Sequence, residues 1–330
     1  MDRPLATGKL PAALLAELLR GARREAPELR VGPAVGEDAC AIDVDAGALV
    51  AATDPITLVG EGVGAHAVVI NANDVAVMGV RPRWFLSVVM VPPGTNANDL
   101  RGLFREMQAA LDRVGAVLVG GHTEVTDAVR QPLVVGQMLG HGDGRIVATG
   151  GARPGDVVLQ VGPVPVEGAA VLAAERADSL ERLDAPLRAA AVRALEDPGI
   201  SVVEPALLLA GLGATALHDP TEGGLATGLH ELAEASGTSL RIDEAAVLWF
   251  EPGRALCAAV GADPWCTLAS GALLATAAEA DAERALAALR DRGHPAAAIG
   301  RVGEGAGVVT TAGRALPRSE RDEIARVLAG

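Results

Sequence analysis

The sequence predicts an α+β protein built as two domains, and three observations carry this. Strand-like runs arrive in neighbouring groups, which favours helices layered on a sheet over strict strand–helix alternation. The 330 residues exceed what one hydrophobic core ordinarily serves. Gly140–Gly155 gathers six glycines and Pro154 among charged residues, the clearest break in the chain. The domains are therefore expected at residues 1–150 and 151–330.

Taken in order, Leu14, Leu15, Leu18 and Leu19 recur at helical spacing within Leu10–Arg24, with Pro11 in the first turn, where a missing N–H costs nothing. Apolar runs at Ala48–Thr53, Trp84–Val91, Val114–Val119 and Pro132–Gly140 are bounded by Gly, Pro, Asn or Asp and read as strands. Leu100, Leu103, Phe104, Met107, Leu111 and Val114 trace one face of a helix started by the Asn96–Asp99 cluster. His66–Met78 is apolar all round, the mark of a buried helix. Beyond the break, strands are expected at Asp156–Val161, Ala214–Leu217, Ser239–Ile242, Thr267–Ala275 and Ala296–Val302. Helices are expected at Val166–Arg176, Pro186–Leu195, Val202–Leu212, Gly223–Ser236, Asp281–Arg292 and from Ser319 to Leu328.

Composition narrows the function. A net charge of −14, 2% aromatic residues and no tyrosine leave a nucleic-acid groove without cations or stacking platforms. No run of apolar residues reaches membrane-spanning length, and the start Met1-Asp2-Arg3-Pro4 does not read as a secretory signal, so a cytoplasmic protein is expected. Cys40, Cys257 and Cys266 form no CxxC pair, which argues against a disulfide framework or a thiolate zinc site. Of 28 cationic residues, Lys9 is the only lysine, a compact point charge where every other cation is a planar guanidinium.

Gly-rich motifs must be discounted in a chain with 40 glycines. Gly211-x-Gly213-x-x-Ala216 follows a helix and precedes a strand, the reverse of a dinucleotide fingerprint, and Gly8-Lys9 lacks the rest of a phosphate-binding loop. What remains is a set of acidic clusters at the junctions of extended runs and loops. These are Gly36-Glu37-Asp38-Ala39, Thr53-Asp54-Pro55, Asn71-Ala72-Asn73-Asp74 and Gly120-Gly121-His122-Thr123-Glu124. Each also fits an ordinary turn, but polar groups inside the apolar His66–Met78 helix are costly to bury unless paired or bound to an ion. Magnesium takes carboxylate oxygens together with substrate phosphates, and convergence of two or three such positions would supply it. In the second half, His218-Asp219-Pro220-Thr221-Glu222-Gly223-Gly224-Leu225 ends a strand and opens a helix, whose first N–H groups could meet an anion or simply be capped.

In this order, with Asn73–Pro82 reading Asn-Asp-Val-Ala-Val-Met-Gly-Val-Arg-Pro and with Pro154-Gly155-Asp156, the motifs resemble the AIR-synthetase (PurM-like) superfamily over nearly the whole chain. Its members include aminoimidazole ribonucleotide synthetase, thiamine-monophosphate kinase, selenophosphate synthetase and the carbamoyl dehydratase of hydrogenase maturation. The second-half motif is most similar to the last of these and its AIR-synthase-related cousins. The resemblance implies a homodimer formed through an N-terminal mixed sheet, a C-terminal α/β sandwich, and ATP with Mg²⁺ in a cleft along the dimer interface. Residue by residue it implies Glu37, Asp38, Asp54 and Asp74 at the metal, with Asn73, Gly120, Gly121 and Thr123 beside the nucleotide. Asp219, Thr221, Gly223 and Gly224 would lie on the phosphate side, Lys9 on an ATP phosphate, and His122 or Glu124 would act as base or orient the acceptor.

Departures are equally specific. The tail Arg326–Gly330 lacks the cysteine acceptor of the carbamoyl dehydratases, and His122 stands where thiamine-monophosphate kinase has Asp. The expectation is therefore an ATP- and magnesium-dependent enzyme that phosphorylates an oxygen of a small substrate, an amide or carbonyl oxygen among the candidates. The alternatives are a simple small-molecule kinase and a nucleotide-binding partner without turnover.

Overall fold

The computed structural model describes residues 29–31, 37, 39–57, 62–143, 145–319 and 321–329. The helix expected at Leu10–Arg24, Lys9 and Asp38 lie outside the described residues. Two compact units are present, one from Pro27–Gly32 and Asp38–Ile146, the other holding Glu37 and Val147–Gly330. They part between Ile146 and Val147, inside the glycine-rich break.

The first unit is built on strands β1 (Leu29–Val31), β2 (Cys40–Val44), β3 (Gly47–Ile56), β4 (Trp84–Val91), β5 (Val117–Val125) and β6 (Leu133–Gly142), with helices α1 (Val63–Val77) and α2 (Ala97–Val114). The sheet order is β1-β2-β3-β6-β4-β5, antiparallel except where β4 meets β5. Parallel neighbours need a crossover, and α2 supplies it. Asn96 starts that helix by accepting from the N–H groups of Asn98 and Asp99, and Gly115 ends it in the left-handed region. α1 is the more deeply placed helix and packs on β3 and β6. It approaches α2 closely at Gly64, where a Cβ would stand 2.4 Å from the Leu103 carbonyl oxygen.

The second unit carries β7 (Val157–Val161), α3 (Val166–Glu175), α4 (Ala177–Leu180), α5 (Ala185–Val192), α6 (Val203–Gly211), β8 (Ala216–His218), α7 (Gly224–Ser236) and β9 (Ser239–Ile242). It continues through α8 (Glu251–Val260), β10 (Leu273–Ala277), α9 (Glu279–Asp291), β11 (Ala296–Gly303), β12 (Gly307–Thr310) and α10 (Glu323–Leu328). The strands order as β12-β9-β11-β7-β10-β8, antiparallel except for β12 with β9. Leu225, Leu229 and Leu232 of α7 share one apolar core with Val158, Leu274 and Ile299 of the sheet. A second cluster, with Leu172, Leu256, Ile324 and Val327, joins α3, α8 and α10.

Three expectations are corrected, and one helix is added. Val114 closes α2, so β5 begins later and runs through Val125, carrying Gly120–Glu124 inside the strand. Thr267–Ala272 are not strand, because their backbone groups serve other elements: Leu268 O accepts from Gly168 N–H, and Ala269 N–H donates to Thr221 O. The last helix starts at Glu323, where Asp322 caps it by accepting from Ile324 N–H. Helix α8 lies in a stretch for which no element was expected, and Pro252 and Gly253 stand near its start. Pro is tolerated in a first turn, and a Cβ on Gly253 would lie 2.4 Å from the Pro165 carbonyl oxygen.

Candidate functional site

In the first unit the candidate site begins with an amide inside α1. Asn71 is fully buried, and its side chain works like a missing strand neighbour for Asp54. Asn71 Oδ1 accepts from Asp54 N–H at 2.8 Å, while Nδ2 donates to Asp54 O at 3.3 Å and to Ala67 O at 2.8 Å. The amide oxygen and nitrogen are thus both engaged, which removes most of the cost of this burial. Space for the amide comes from Gly136 of β6, where a Cβ would lie 2.4 Å from Asn71 Nδ2. Gly136 also pairs with Asp54, and its carbonyl accepts from Thr53 Oγ1 at 2.8 Å.

The clamp fixes the main chain of Asp54 while its side chain stays exposed at the end of β3. Asp74, nearly buried, follows Asn71 by three residues and so lies on the same face of α1, one turn on. Asn73 is fully buried in the same turn. Exposed and buried carboxylates at this junction are hard oxygen donors of the kind Mg²⁺ takes with substrate phosphates. Among the described residues no three His, Cys, Asp or Glu side chains converge as a metal centre. Asp38 is outside that set.

The Gly120–Glu124 group stands apart. Pairing registers place Asp54, Gly136, Ser87 and Gly121 in one row across β3, β6, β4 and β5. Three interstrand steps separate the ends of that row by about 14 Å, too far to share one ion. Gly121 lets β5 approach β4, since a Cβ there would stand 2.1 Å from the Ser87 carbonyl oxygen at a φ of +150°. Gly120 and Thr123 lie on the same strand, and His122 Nε2 stands 3.4 Å from Glu124 Oε2, both side chains exposed. β5 is exposed along its whole length, including Val117, Leu118, Val119 and Val125.

In the second unit the expected anion site has a different occupant. Gly223 and Gly224 both have positive φ, 81° and 71°, which turns the chain sharply into α7. Gly223 N–H donates to Asp322 Oδ2 at 2.7 Å and Gly224 N–H to Thr221 O at 3.1 Å. The donors expected to face a ligand are therefore engaged within the chain, and a carboxylate sits at the positive end of α7. Asp219 is buried just ahead of this turn, and His218 Nε2 lies 3.1 Å from Glu231 Oε2 of α7. Glu37, expected at the metal, belongs to this second unit.

Sequence reasoning missed two acids here. Glu167, in the first turn of α3, is buried and hydrogen-bonded to Ser270, and burial pushes its carboxyl up to about 7. The Ser270 bond opposes that rise, whereas Glu222 and Asp322 add to it by like-charge repulsion. Burial likewise raises Asp322 to about 6, against the bonds from Gly223 and Ile324, with Glu222 and Glu323 adding to the rise. A signal for Glu167 existed: it is the lone charge in the apolar run Val161–Leu172. None existed for Asp322, 99 residues from Gly223.

Comparison with known proteins agrees with this architecture. The N-terminal domain of AIR synthase related protein matches residues 36–141, and the C-terminal domain of AIR synthase related protein matches residues 153–312. Carbamoyl dehydratase HypE of Cupriavidus necator is 34% identical over 290 residues, covering 84% of this chain and 78% of that one. Thiamine-monophosphate kinase of Corynebacterium glutamicum is 30% identical over 213 residues, covering 64% of this chain and 62% of that one. The crystal structure of hydrogenase maturation protein HypE in complex with ATP superposes with a TM-score of 0.72 at 26% identity, covering 96% of this chain and 94% of that one. The chain therefore belongs to the AIR synthase related family and is an enzyme of the AIR-synthetase superfamily with the two-domain PurM-like fold.

Proposed function

We propose that this enzyme binds ATP with Mg²⁺ and transfers the γ-phosphoryl group to an oxygen of a small substrate, activating an amide or carbonyl oxygen for later loss of water. The observation that carries the reading is the Asn71 clamp, which fixes the main chain of Asp54 at a strand end, Asp74 following Asn71 by one turn of α1. The ATP-bound HypE neighbour and the carbamoyl dehydratase relatives support it. The thiamine-monophosphate kinase relative supports the simpler variant, in which the phosphoester is itself the product.

In this reading Asp54 and Asp74, with Asp38, hold the metal, Glu37 lies near it, and Asn73 helps to fix their placement. Mg²⁺ supplies neutralisation of phosphate charge. Gly120, Gly121 and Thr123 border the nucleotide, with His122 or Glu124 as base or acceptor guide. Asp219, Thr221, Gly223 and Gly224 line the phosphate side, the Gly223 N–H being released from Asp322 when a phosphate arrives, and Lys9 contacts a phosphate. The bare apolar β5 is the surface through which two copies of the cytoplasmic protein associate, which would let one copy's His122 and Glu124 serve the other copy's acids.

The test is ADP and phosphate formation by purified protein with ATP, with and without Mg²⁺ and with small primary amides. Release of ADP that depends on Mg²⁺ and rises with an amide supports the activating reaction. Binding of ATP without ADP formation under any of these conditions would sink the reading.

A further inference from the structure

α10 is held on the second unit by contacts of two kinds. With six residues it is too short to be stable in isolation, so it exists because it is docked. Ile324 and Val327 are buried in the cluster that includes Leu172 and Leu256. Three ordinary polar ties hold the rest: Glu323 Oε2 accepts from Asp263 N–H at 3.0 Å, Arg326 Nη2 donates to Gly261 O at 2.7 Å, and Arg176 Nη2 donates to Val327 O at 2.8 Å. The fourth tie is of another kind. The Asp322 carboxylate accepts from Ile324 N–H through Oδ1 and from Gly223 N–H through Oδ2, each at 2.7 Å, so it caps α10 while seated on the turn into α7.

That turn suits an oxygen anion and already holds one. Gly223 and Gly224 have positive φ, and the positive end of the 13-residue α7 lies behind them. A second polar group beside it is unspent. Thr227 Oγ1 is buried with no hydrogen-bond partner among the described residues, and a Cβ on Gly223 would lie 2.4 Å from it. Leaving such a donor unserved is costly, and the two bonds that Asp322 accepts go elsewhere. The seated carboxylate is itself opposed by burial and by Glu222 and Glu323, and no cation is among the groups that shift it. Glu222 would oppose any anion on the turn alike, so it does not decide between occupants. A phosphate-type oxyanion, with more acceptor oxygens than one carboxylate, has one to spare for Thr227.

We propose that α10 is a displaceable strap: Asp322 occupies the Gly223 turn in place of a phosphate-type oxyanion, and binding of that oxyanion and docking of α10 exclude one another. The choice of oxyanion rests on the phosphoryl-transfer reading above, whereas every residue of the strap and its seat belongs to the second unit. When Asp322 leaves the turn, Ile324 N–H loses its cap and a six-residue helix loses its start, so release spreads along α10. A short docked element with two buried apolar anchors opens locally at low cost. Exclusion is reciprocal: an oxyanion on the turn loosens the strap, and a loosened strap raises the affinity for the oxyanion.

The experiment uses the full chain with inorganic pyrophosphate as the probe. Trypsin cleavage after Arg321 and Arg326 reads the strap, and calorimetry reads pyrophosphate affinity, for the unsubstituted protein, Asp322→Ala and Glu323→Gln. Saturating pyrophosphate should speed both cleavages about tenfold in the unsubstituted protein. Asp322→Ala should bind pyrophosphate about tenfold more tightly and be cleaved fast without it. Glu323→Gln keeps Asp322 in place but weakens the ties to Asp263 and Arg326, and should raise affinity about threefold. It decides the question if Asp322→Ala does not fold. Cleavage unmoved by pyrophosphate, or equal affinity in the substituted and unsubstituted proteins, overturns the strap. ADP formation from ATP without this linkage overturns the strap alone, while the linkage without ADP formation keeps the strap and overturns phosphoryl transfer.

Discussion

The two units bury acids in opposite ways. In the first, the clamp satisfies Asp54 through its main chain and leaves its side chain exposed, while Asp74 stands one turn beyond Asn71 on the buried helix α1. In the second, Glu167 and Asp322 are buried beside Glu222 without an opposite charge among the causes of their shifts, and both are pushed toward neutrality. The first arrangement suits charge that must persist, as at a metal. The second suits protons that come and go.

The largest expected break is Asp74→Asn. If the first unit keeps its carboxylates charged for a metal, loss of that charge should weaken Mg²⁺-dependent ATP binding by more than about 100-fold, a loss of ~2.7 kcal/mol at 25 °C. The circular dichroism spectrum should remain unchanged. Calorimetry showing unchanged affinity would place the metal elsewhere and leave the two units alike.

Next comes the pH dependence of stability, which belongs to the second unit. Glu167 has a folded pKa of about 7 against an ordinary value of 4.5, so between those limits the folded state binds more protons than the unfolded one. Stability is then highest below the unfolded pKa and falls as pH rises toward 7, after which this contribution levels off. For a fully buried group the fall is on the order of 3 kcal/mol. Glu167→Gln should remove most of it, and denaturant titrations at pH 5 and pH 7.5 measure it. Equal slopes in the two proteins would mean that Glu167 is ionised without penalty.

A smaller effect probes the clamp itself. Gly136→Ala places a Cβ 2.4 Å from Asn71 Nδ2 and 2.9 Å from the Phe85 ring, so the amide must swing away from Asp54. Leaving those backbone groups unpaired costs about 1–3 kcal/mol. ATP affinity should fall with stability, because the clamp aims Asp54. A stability loss with unchanged affinity would separate the clamp from the site.

How much of this was legible follows from distance along the chain. Elements with a clean period, such as Trp84–Val91 or the Leu100–Val114 face, were readable because their burial repeats locally. The polar run Asn71–Asp74 in α1 was readable as an anomaly, since buried amides demand partners, although only Asn73 and Asp74 were expected at the site and Asn71 was given no role of its own. Unreadable were the features that need two distant segments: Asp322 on Gly223, and Ser270 on Glu167. Thr267–Ala272 misled for the same reason, its apolar run serving a helix start and a turn instead of a ladder.

The smallest expected effect is His122→Ala, and it serves as the control for the rest. His122 and Glu124 are exposed and 3.4 Å apart, so their pairing contributes under about 0.5 kcal/mol and the melting temperature should hardly move. Its value lies in the pH profile of ADP formation, set beside that of Glu167→Gln. If a neutral-pH inflection in ADP formation survives His122→Ala and vanishes in Glu167→Gln, the titrating group lies in the second unit. The reverse result would move proton handling to β5, three strands from Asp54, and erase the division of labour between the units.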